Sequence, residues 1–259
     1  HTCDGYQFQS RDQDDISMEV KLSSDQNQSS RWLIGAYYAE IERDVAVSYG
    51  ADLGQGFEYK SYVPASGKNP TDLMFDDSFN TDVFSIFGQY SVDLSDVTEL
   101  SLEGRYDKEK RSVNNNVPGV ASALYYGGGA PINPAMAAVG DTIPSRDKSF
   151  DQFQPKISLT TTGENTTVYA SYGVGFRSGG FNSSGSAATT EFWLNSGNPF
   201  GLGVVGAQLG VSDTFKKEVS KSFELGFKGR YLDGRLEVNG AIFETDVDDN
   251  QFFEFFAGP

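Results

Sequence analysis

Between Val168 and Arg177 the chain alternates. Val168, Ala170, Tyr172, Val174 and Phe176 fall on one side of an extended backbone, and Tyr169, Ser171, Gly173, Gly175 and Arg177 fall on the other. A period of two with one apolar side predicts a strand whose faces meet different surroundings. The run breaks at Ser178-Gly179-Gly180, before a long polar segment. The alternation recurs and predicts eight strands. The first, 14–23, sets Ile16, Met18, Val20 and Leu22 against Ser17, Glu19, Lys21 and Ser23. The second, from Arg31 to about Arg43, carries Trp32, Ile34, Ala36 and Tyr38 on one face, and the third, 79–92, carries Phe84, Ile86, Gly88, Tyr90 and Val92. The fourth, 98–111, sets Leu100, Leu102, Gly104 and Tyr106 against Glu99, Ser101, Glu103, Arg105 and Asp107. The fifth, 150–162, alternates Phe153, Ile157 and Leu159 with Gln154, Lys156, Ser158 and Thr160. Pro155 lies inside it, which disfavours a central strand. The Val168 run is the sixth. The seventh sets Phe223, Leu225, Phe227, Gly229 and Tyr231 against Ser222, Glu224, Gly226, Lys228 and Arg230. The eighth sets Leu236, Val238 and Ile242 against Glu237, Asn239 and Phe243.

The connections alternate in length. Short links at 24–30, 93–97, 163–166 and Leu232-Asp233-Gly234 carry turn residues; Asp-Gly between two alternating runs signals a hairpin. Long segments rich in Gly, Pro, Asn and Asp occupy 44–78, 112–149 and 178–219. Antiparallel strands running between a rim of tight turns and a rim of long loops produce this order. The strands match the ~9–11 residues needed to cross a bilayer better than the ~5–6 of a typical soluble strand. A strand so sharply two-faced is not one buried on both sides. The expected fold class is all-β: an antiparallel transmembrane β-barrel segment of about eight long strands, with 1–259 as one partial barrel domain.

Composition narrows the function. The 259 residues carry a net charge of −16, with 29 Gly, 20 Phe, one Cys and one His. There is no 18-residue apolar run, which excludes a helical membrane protein but not a barrel, whose alternating strands keep mean hydropathy low. Nucleic-acid binding needs a basic face to displace counterions, so the acidic balance argues against it. Cys3, as the sole cysteine, forms no internal disulfide. No Met begins the chain and no charged-then-apolar leader is visible, so a signal peptide is expected outside this stretch.

Several local patterns carry little chemistry. Gly201-Leu202-Gly203-Val204-Val205-Gly206 fits a dinucleotide fingerprint but lacks the preceding strand and following helix. Asp246-Val247-Asp248-Asp249-Asn250 opens like a calcium loop, yet Gln251 stands where Gly is required and Ala257 where Glu is required. His1 is terminal, which leaves Ser-His-Asp catalysis and His-based metal sites almost without material. No carboxylate pair stands out among 36 acids for glycosidase work. No catalytic residue, metal or cofactor is expected. Asn165-Thr166-Thr167 and Asn182-Ser183-Ser184 are sequons, which carry no meaning if the source is bacterial.

The stretch VYASYGVGFRSGGFN at 168–182 resembles a strand from the C-terminal half of TonB-dependent outer-membrane receptor barrels. A second stretch, Glu218 followed by Lys221–Gly229 and Leu232–Leu236, resembles the same family's next hairpin, with Lys217 where the family usually has proline. The resemblance covers roughly 14–256 by pattern and is specific over about 150–250. It implies an internal piece of a 22-stranded barrel of the bacterial outer membrane, with an N-terminal plug outside this stretch. It further implies import of a scarce nutrient, ferric siderophore-like or another large ligand, on energy relayed by TonB. The implied partners are outer-membrane lipid, the plug domain of the same full-length chain and the TonB complex. Capture by the long loops makes Tyr125, Tyr126, Phe192 and Trp193 the expected ligand-binding aromatics. Arg105, Arg177, Glu224, Lys228, Arg230 and Glu237 are expected to face the lumen or plug; the bland reading is that they only wet the wall. From 44 to 82 the chain carries seven acids against Lys60 and Lys68, which disfavours a strongly anionic ligand. Two other readings stay open. One is a self-contained eight-stranded barrel of structural or adhesion role, with Phe252–Phe256 closing against Asp14–Ser23. The other is a soluble β-rich carbohydrate-binding or hydrolytic domain.

Overall fold

A computed structural model describes residues 5–64, 66–117, 121–122, 130–131, 143–193 and 210–252. Eight long strands form one antiparallel sheet, each beside its neighbours in the chain. They are β1 (Gly5–Ser23), β2 (Ser30–Ala51), β3 (Thr71–Ser95), β4 (Thr98–Asn115), β5 (Arg146–Thr162), β6 (Thr166–Arg177), β7 (Glu218–Tyr231) and β8 (Leu236–Asp248). Tight turns join β1 to β2, β3 to β4, β5 to β6 and β7 to β8, and the long connections all leave the opposite rim. The last turn holds Leu232, Asp233 and Gly234 at φ 55°, 54° and 83°, the left-handed region for which Asp-Gly is suited. One long connection carries α1 (Ser186–Trp193).

Most strands overrun their expected bounds on the long-loop side. β1 begins at Gly5 rather than Asp14, β2 reaches Ala51 and β3 begins at Thr71. In these extensions the positions continuing the apolar face include Asp12, Asp44 and Asp76. Ladder hydrogen bonds do not depend on side-chain polarity, so the strand persists where the amphipathic signal ends.

The two faces invert the burial of a soluble sheet. Ile86, Leu102, Tyr172 and Phe227 are exposed at 52, 43, 43 and 40%, and nothing among the described residues packs over them. On the other face Ser85, Ser91, Ser101 and Asp107 are each 5% exposed or less. A sandwich or helix-covered sheet would bury the first set instead.

Register gives the tilt. Trp32, Tyr90, Leu102, Ile157, Tyr172 and Phe223 stand opposite one another in sequence from β2 to β7. This row meets β8 at Glu244 and passes one residue beyond the Ser23–Leu33 pair on β1. On β1 it lies five residues toward the tight-turn rim from the middle of the apolar run 16–22, and on β8 five residues toward the long-loop rim from the middle of 236–242. The apolar band therefore slips ten residues over seven strand steps. At ~3.3 Å per residue and ~4.8 Å per step these are about 33 and 34 Å, a strand tilt near 45°. Membrane barrels have such tilts.

Two local devices fit the sequence to this sheet. Pro155 sits beside the end of the β5–β6 ladder, which runs from Lys156–Gly173 to Thr162–Thr167, so its missing N–H coincides with the point where pairing stops. Glycines make room for aromatic rings on the strand beside them: a Cβ on Gly35 would lie 2.4 Å from the Phe87 ring, and one on Gly226 2.6 Å from the Tyr169 ring. Both pairs are directly opposed in the ladders. Among the described residues β1 and β8 occupy opposite edges and share no ladder; of the expected closing segment, residues 253–256 lie outside the described residues.

Candidate binding surface on the polar face and long-loop rim

The register places Arg105, Arg177, Glu224, Lys228, Arg230 and Glu237 on one face, as the alternation predicts, but gathers them into separate groups. Arg105 lies on β4. Its Nε donates to both Asp107 carboxylate oxygens at 2.8 and 2.9 Å and its Nη2 to Ser85 Oγ at 2.8 Å. Ser85 and Gln154 also donate to Asp107. The Phe87 and Tyr37 rings flank the guanidinium, with centroids 5.6 and 5.8 Å away. Asp107 is thus a buried charge with charge-assisted partners, a fixed piece of wall. On β6 and β7, the Tyr169 hydroxyl donates to Glu224 at 2.5 Å, and Lys228 Nζ lies 5.9 Å from the Tyr169 ring centroid. Gly226 between them lets the ring lie on the backbone. Arg230 and Glu237 meet at 3.9 Å beside the tight turn, both well exposed. Arg177 ends β6 opposite Glu218.

Of the loop aromatics, Tyr125 and Tyr126 lie outside the described residues, as does the 201–206 glycine run. Phe192 and Trp193 are the last two residues of α1. The sequence reading missed a better-defined pair. Phe57 and Tyr59, in the connection from β2 to β3, are 54 and 91% exposed. Their loop is built around Asn69, which is buried, at φ 51°. Asn69 accepts from Leu53 N at 2.8 Å and donates to Gly56 O at 2.9 Å and Asp52 at 3.2 Å, while Tyr6 OH donates to its carbonyl at 2.7 Å. The Tyr6 and Phe57 rings meet edge-on at 6.0 Å. Glu58 accepts from Lys60 Nζ at 2.5 Å and Lys68 N at 3.0 Å, bonds that hold its carboxyl below the usual range. The available signal was aromatics beside Gly54-Gln55-Gly56 in an otherwise polar segment.

Lys217, where proline was expected, has a job. Its ammonium donates to Asp151 O and, at 2.9 Å, to Gln152 Oε1, bridging toward β5 where the β5–β6 ladder has ended. The Asp246–Asn250 run is no calcium loop: Asp248 pairs with Lys221 and Asp249 with Lys216, each at 3.0 Å. Among the described residues, no group of three or more His, Cys, Asp or Glu is placed to hold a metal ion.

A two-faced meander with an exposed apolar band, a buried polar face, tilted strands and loops on one rim leaves few families to consider. Residues 4–258 match the family model described as TonB dependent receptor-like, beta-barrel. The chain belongs to the TonB-dependent receptor barrel family. That family is one of transport receptors, not enzymes. This receptor chain is similar in fold to the ferric yersiniabactin uptake receptor FyuA from Yersinia pestis, with TM-score 0.63 and 13% identity over 96% of this chain and 30% of that one. It is also similar to the alcaligin outer-membrane receptor FauA from Bordetella pertussis, with TM-score 0.50 and 18% identity over 95% of this chain and 31% of that one. The ferripyoverdine outer-membrane receptor of Pseudomonas aeruginosa matches at TM-score 0.50 and 15% identity, over 95% of this chain and 27% of that one. The chain spans under a third of each of these receptors.

Proposed function

We propose that this chain is the wall segment of an outer-membrane receptor that captures a scarce nutrient, a ferric siderophore-like or other large ligand, at its long-loop rim. Import then runs on energy relayed by TonB through a plug domain of the full-length receptor. The observation that carries this reading is the inverted sheet: apolar side chains exposed in a tilted band, polar ones buried on the opposite face. Hydrocarbon covers such a band and a wet lumen accepts the other face. Ordered aromatics at the rim, Phe57 and Tyr59, and the expected Tyr125, Tyr126, Phe192 and Trp193 supply the first contact with cargo. Arg105, Glu224 and Lys228 belong to wall clusters against which a plug or a passing ligand would move. No covalent chemistry is involved.

The test uses the full-length receptor in Gram-negative cells that lack their own ferric uptake receptors. Radioactive iron should accumulate from ferric siderophores only when TonB is intact. Accumulation that is independent of TonB, or recovery of the receptor in the soluble fraction without detergent, would refute the proposal.

A further inference from the structure

The connection leaving β6 does not hang free over the rim. Seven residues past Arg177, the Ser184 N–H donates to Asp77 on β3 at 2.7 Å, three strands back across the sheet. Asp77 belongs to the polar face: it stands opposite Val45 and Asn115, in line with Phe79, Thr81 and Ser85. On β5, between the two strands, Arg146 donates through Nη2 to Ser184 Oγ and through Nη1 to the Asp213 carbonyl, each at 3.1 Å. The Asp213 carboxylate in turn accepts from Ala187 N at 2.9 Å, at the start of α1. Gly185 makes the turn into α1 at φ 85°, a left-handed value suited to glycine.

Further contacts make this a fixed seat. The two stems of the connection are tied to each other: Gly180 and Phe181 pair with Phe215 and Thr214, and Asn182 donates to the Asp213 and Ser212 carbonyls at 3.0 and 2.5 Å. The first stem lies on the wall. A Cβ on Gly179 would run into the Phe150 ring of β5, and one on Gly180 would lie 3.3 Å from Arg111 Nη1 of β4. Beyond β8, Gln251 Nε2 donates to the Ser178 and Lys216 carbonyls at 3.0 and 2.9 Å, holding both stems from the other side. Asp77, Phe150 and Ser184 are left 1, 6 and 1% exposed. Segments that open readily have few buried contacts and hydrogen bonds open to water; this one has the reverse.

We propose that the connection between β6 and β7 is a permanent ledge inside the mouth, with Asp77 and Arg146 as the residues that position it. The ledge covers the polar face of β3 to β5 at the long-loop rim and fixes the start of α1. Cargo therefore meets this connection, with the expected Phe192 and Trp193 at the end of α1, rather than the strands behind it. Cargo enters and leaves while the ledge stays seated. This rests on the reading of the polar face as the lumen of an uptake receptor.

Amide exchange in the full-length receptor, read by mass spectrometry, tests the seat. Peptides spanning 180–187 should exchange at least about a hundredfold more slowly than open chain. Asp77→Ala should speed them about tenfold, Asp77→Asn, which keeps an acceptor for the Ser184 N–H, much less, and peptides of β7 should not change. Open-chain rates at 180–187 in the unsubstituted receptor would overturn the ledge. A tether tests its permanence. In a Cys3→Ser background, Asp77→Cys and Ser184→Cys are joined by oxidation, and the link is confirmed by mass spectrometry. Cells carrying the oxidised receptor should accumulate a radioactive ferric tris-catecholate or tris-hydroxamate within about twofold of the rate after reduction. Binding without import in the oxidised form, with import restored by reduction, would overturn the proposal, because the connection would then have to leave the wall. Positioning has its own readout: Asp77→Ala should raise the half-saturating concentration of the ferric complex several-fold and leave the maximal rate within about twofold, with Asp77→Asn restoring the first. An unchanged half-saturation would remove the positioning role. If the unsubstituted receptor imports neither complex, the uptake reading falls and exchange at 180–187 alone decides the ledge.

Discussion

Replacing Leu102 with arginine separates a lipid-facing wall from every soluble alternative. Leu102 lies on β4 between Tyr90 and Ile157, near the middle of the apolar run Leu100–Tyr106, and is 43% exposed. At the surface of a soluble protein such a change costs within about 0.5 kcal/mol. At the midplane of a bilayer an arginine on the outer wall of a barrel costs about 2–4 kcal/mol. That is roughly 30-fold to nearly a thousandfold in the folding equilibrium. Thr160→Arg is the matched control on β5, since Thr160 lies on the polar face between Glu99 and Tyr169, where a cation meets a carboxylate. The assay is denaturant-induced unfolding of the full-length receptor in phospholipid vesicles. Leu102→Arg should be at least about 1.5 kcal/mol less stable than Thr160→Arg, given the bilayer cost above. Equal stabilities would refute the assignment of faces.

Gly35→Ala should destabilise by about 1–3 kcal/mol, because its Cβ meets the Phe87 ring and dislodges it from Arg105; a thermal shift in the same vesicles reads it. Lys217→Ala removes the bridge to Asp151 and Gln152, so amides in 147–155 should exchange roughly fivefold faster by mass spectrometry, with those of β3 unchanged. The Glu58 carboxyl is held low by Lys60 and the Lys68 amide, so its contribution to loop order is present above the ordinary glutamate range and lost as pH falls through its depressed value. A carbon-13 titration should place its midpoint below that of free glutamate, and Glu58→Gln should abolish the accompanying loosening of the loop around Tyr59.

The faces were legible because each outward position inside the hydrocarbon band must be apolar. Tyr172, Phe227 and Leu102 therefore announce themselves, and the alternation of tight turns with long loops orders the strands without ambiguity. The strand ends were not legible, since Asp12, Asp44 and Asp76 continue the ladders in water where no apolar face is needed. Pro155 is tolerated inside the expected fifth strand for a reason that strand propensity does not reveal: the ladder to β6 stops beside it. The alternation put Arg105, Arg177, Glu224, Lys228, Arg230 and Glu237 on one face, as the ladders do, but grouping needs register. Tyr169 bridging to Glu224, and Arg105 locking onto Asp107, join residues 55 and two positions apart. Asp77, Arg146 and Ser184 all fell in segments expected to be loops, so their meeting on one wall emerged only from the fold. Phe57 and Tyr59 escaped notice because a loop organised by one buried asparagine leaves no periodic trace.

The most direct measurement is a nitroxide scan along β4, residues 99–107, in the full-length receptor embedded in lipid. Collision with oxygen, which concentrates in hydrocarbon, should peak at 100, 102, 104 and 106 and fall at 99, 101, 103, 105 and 107, the even positions being those of the exposed apolar face. Even positions no more accessible to oxygen than odd ones would contradict the account.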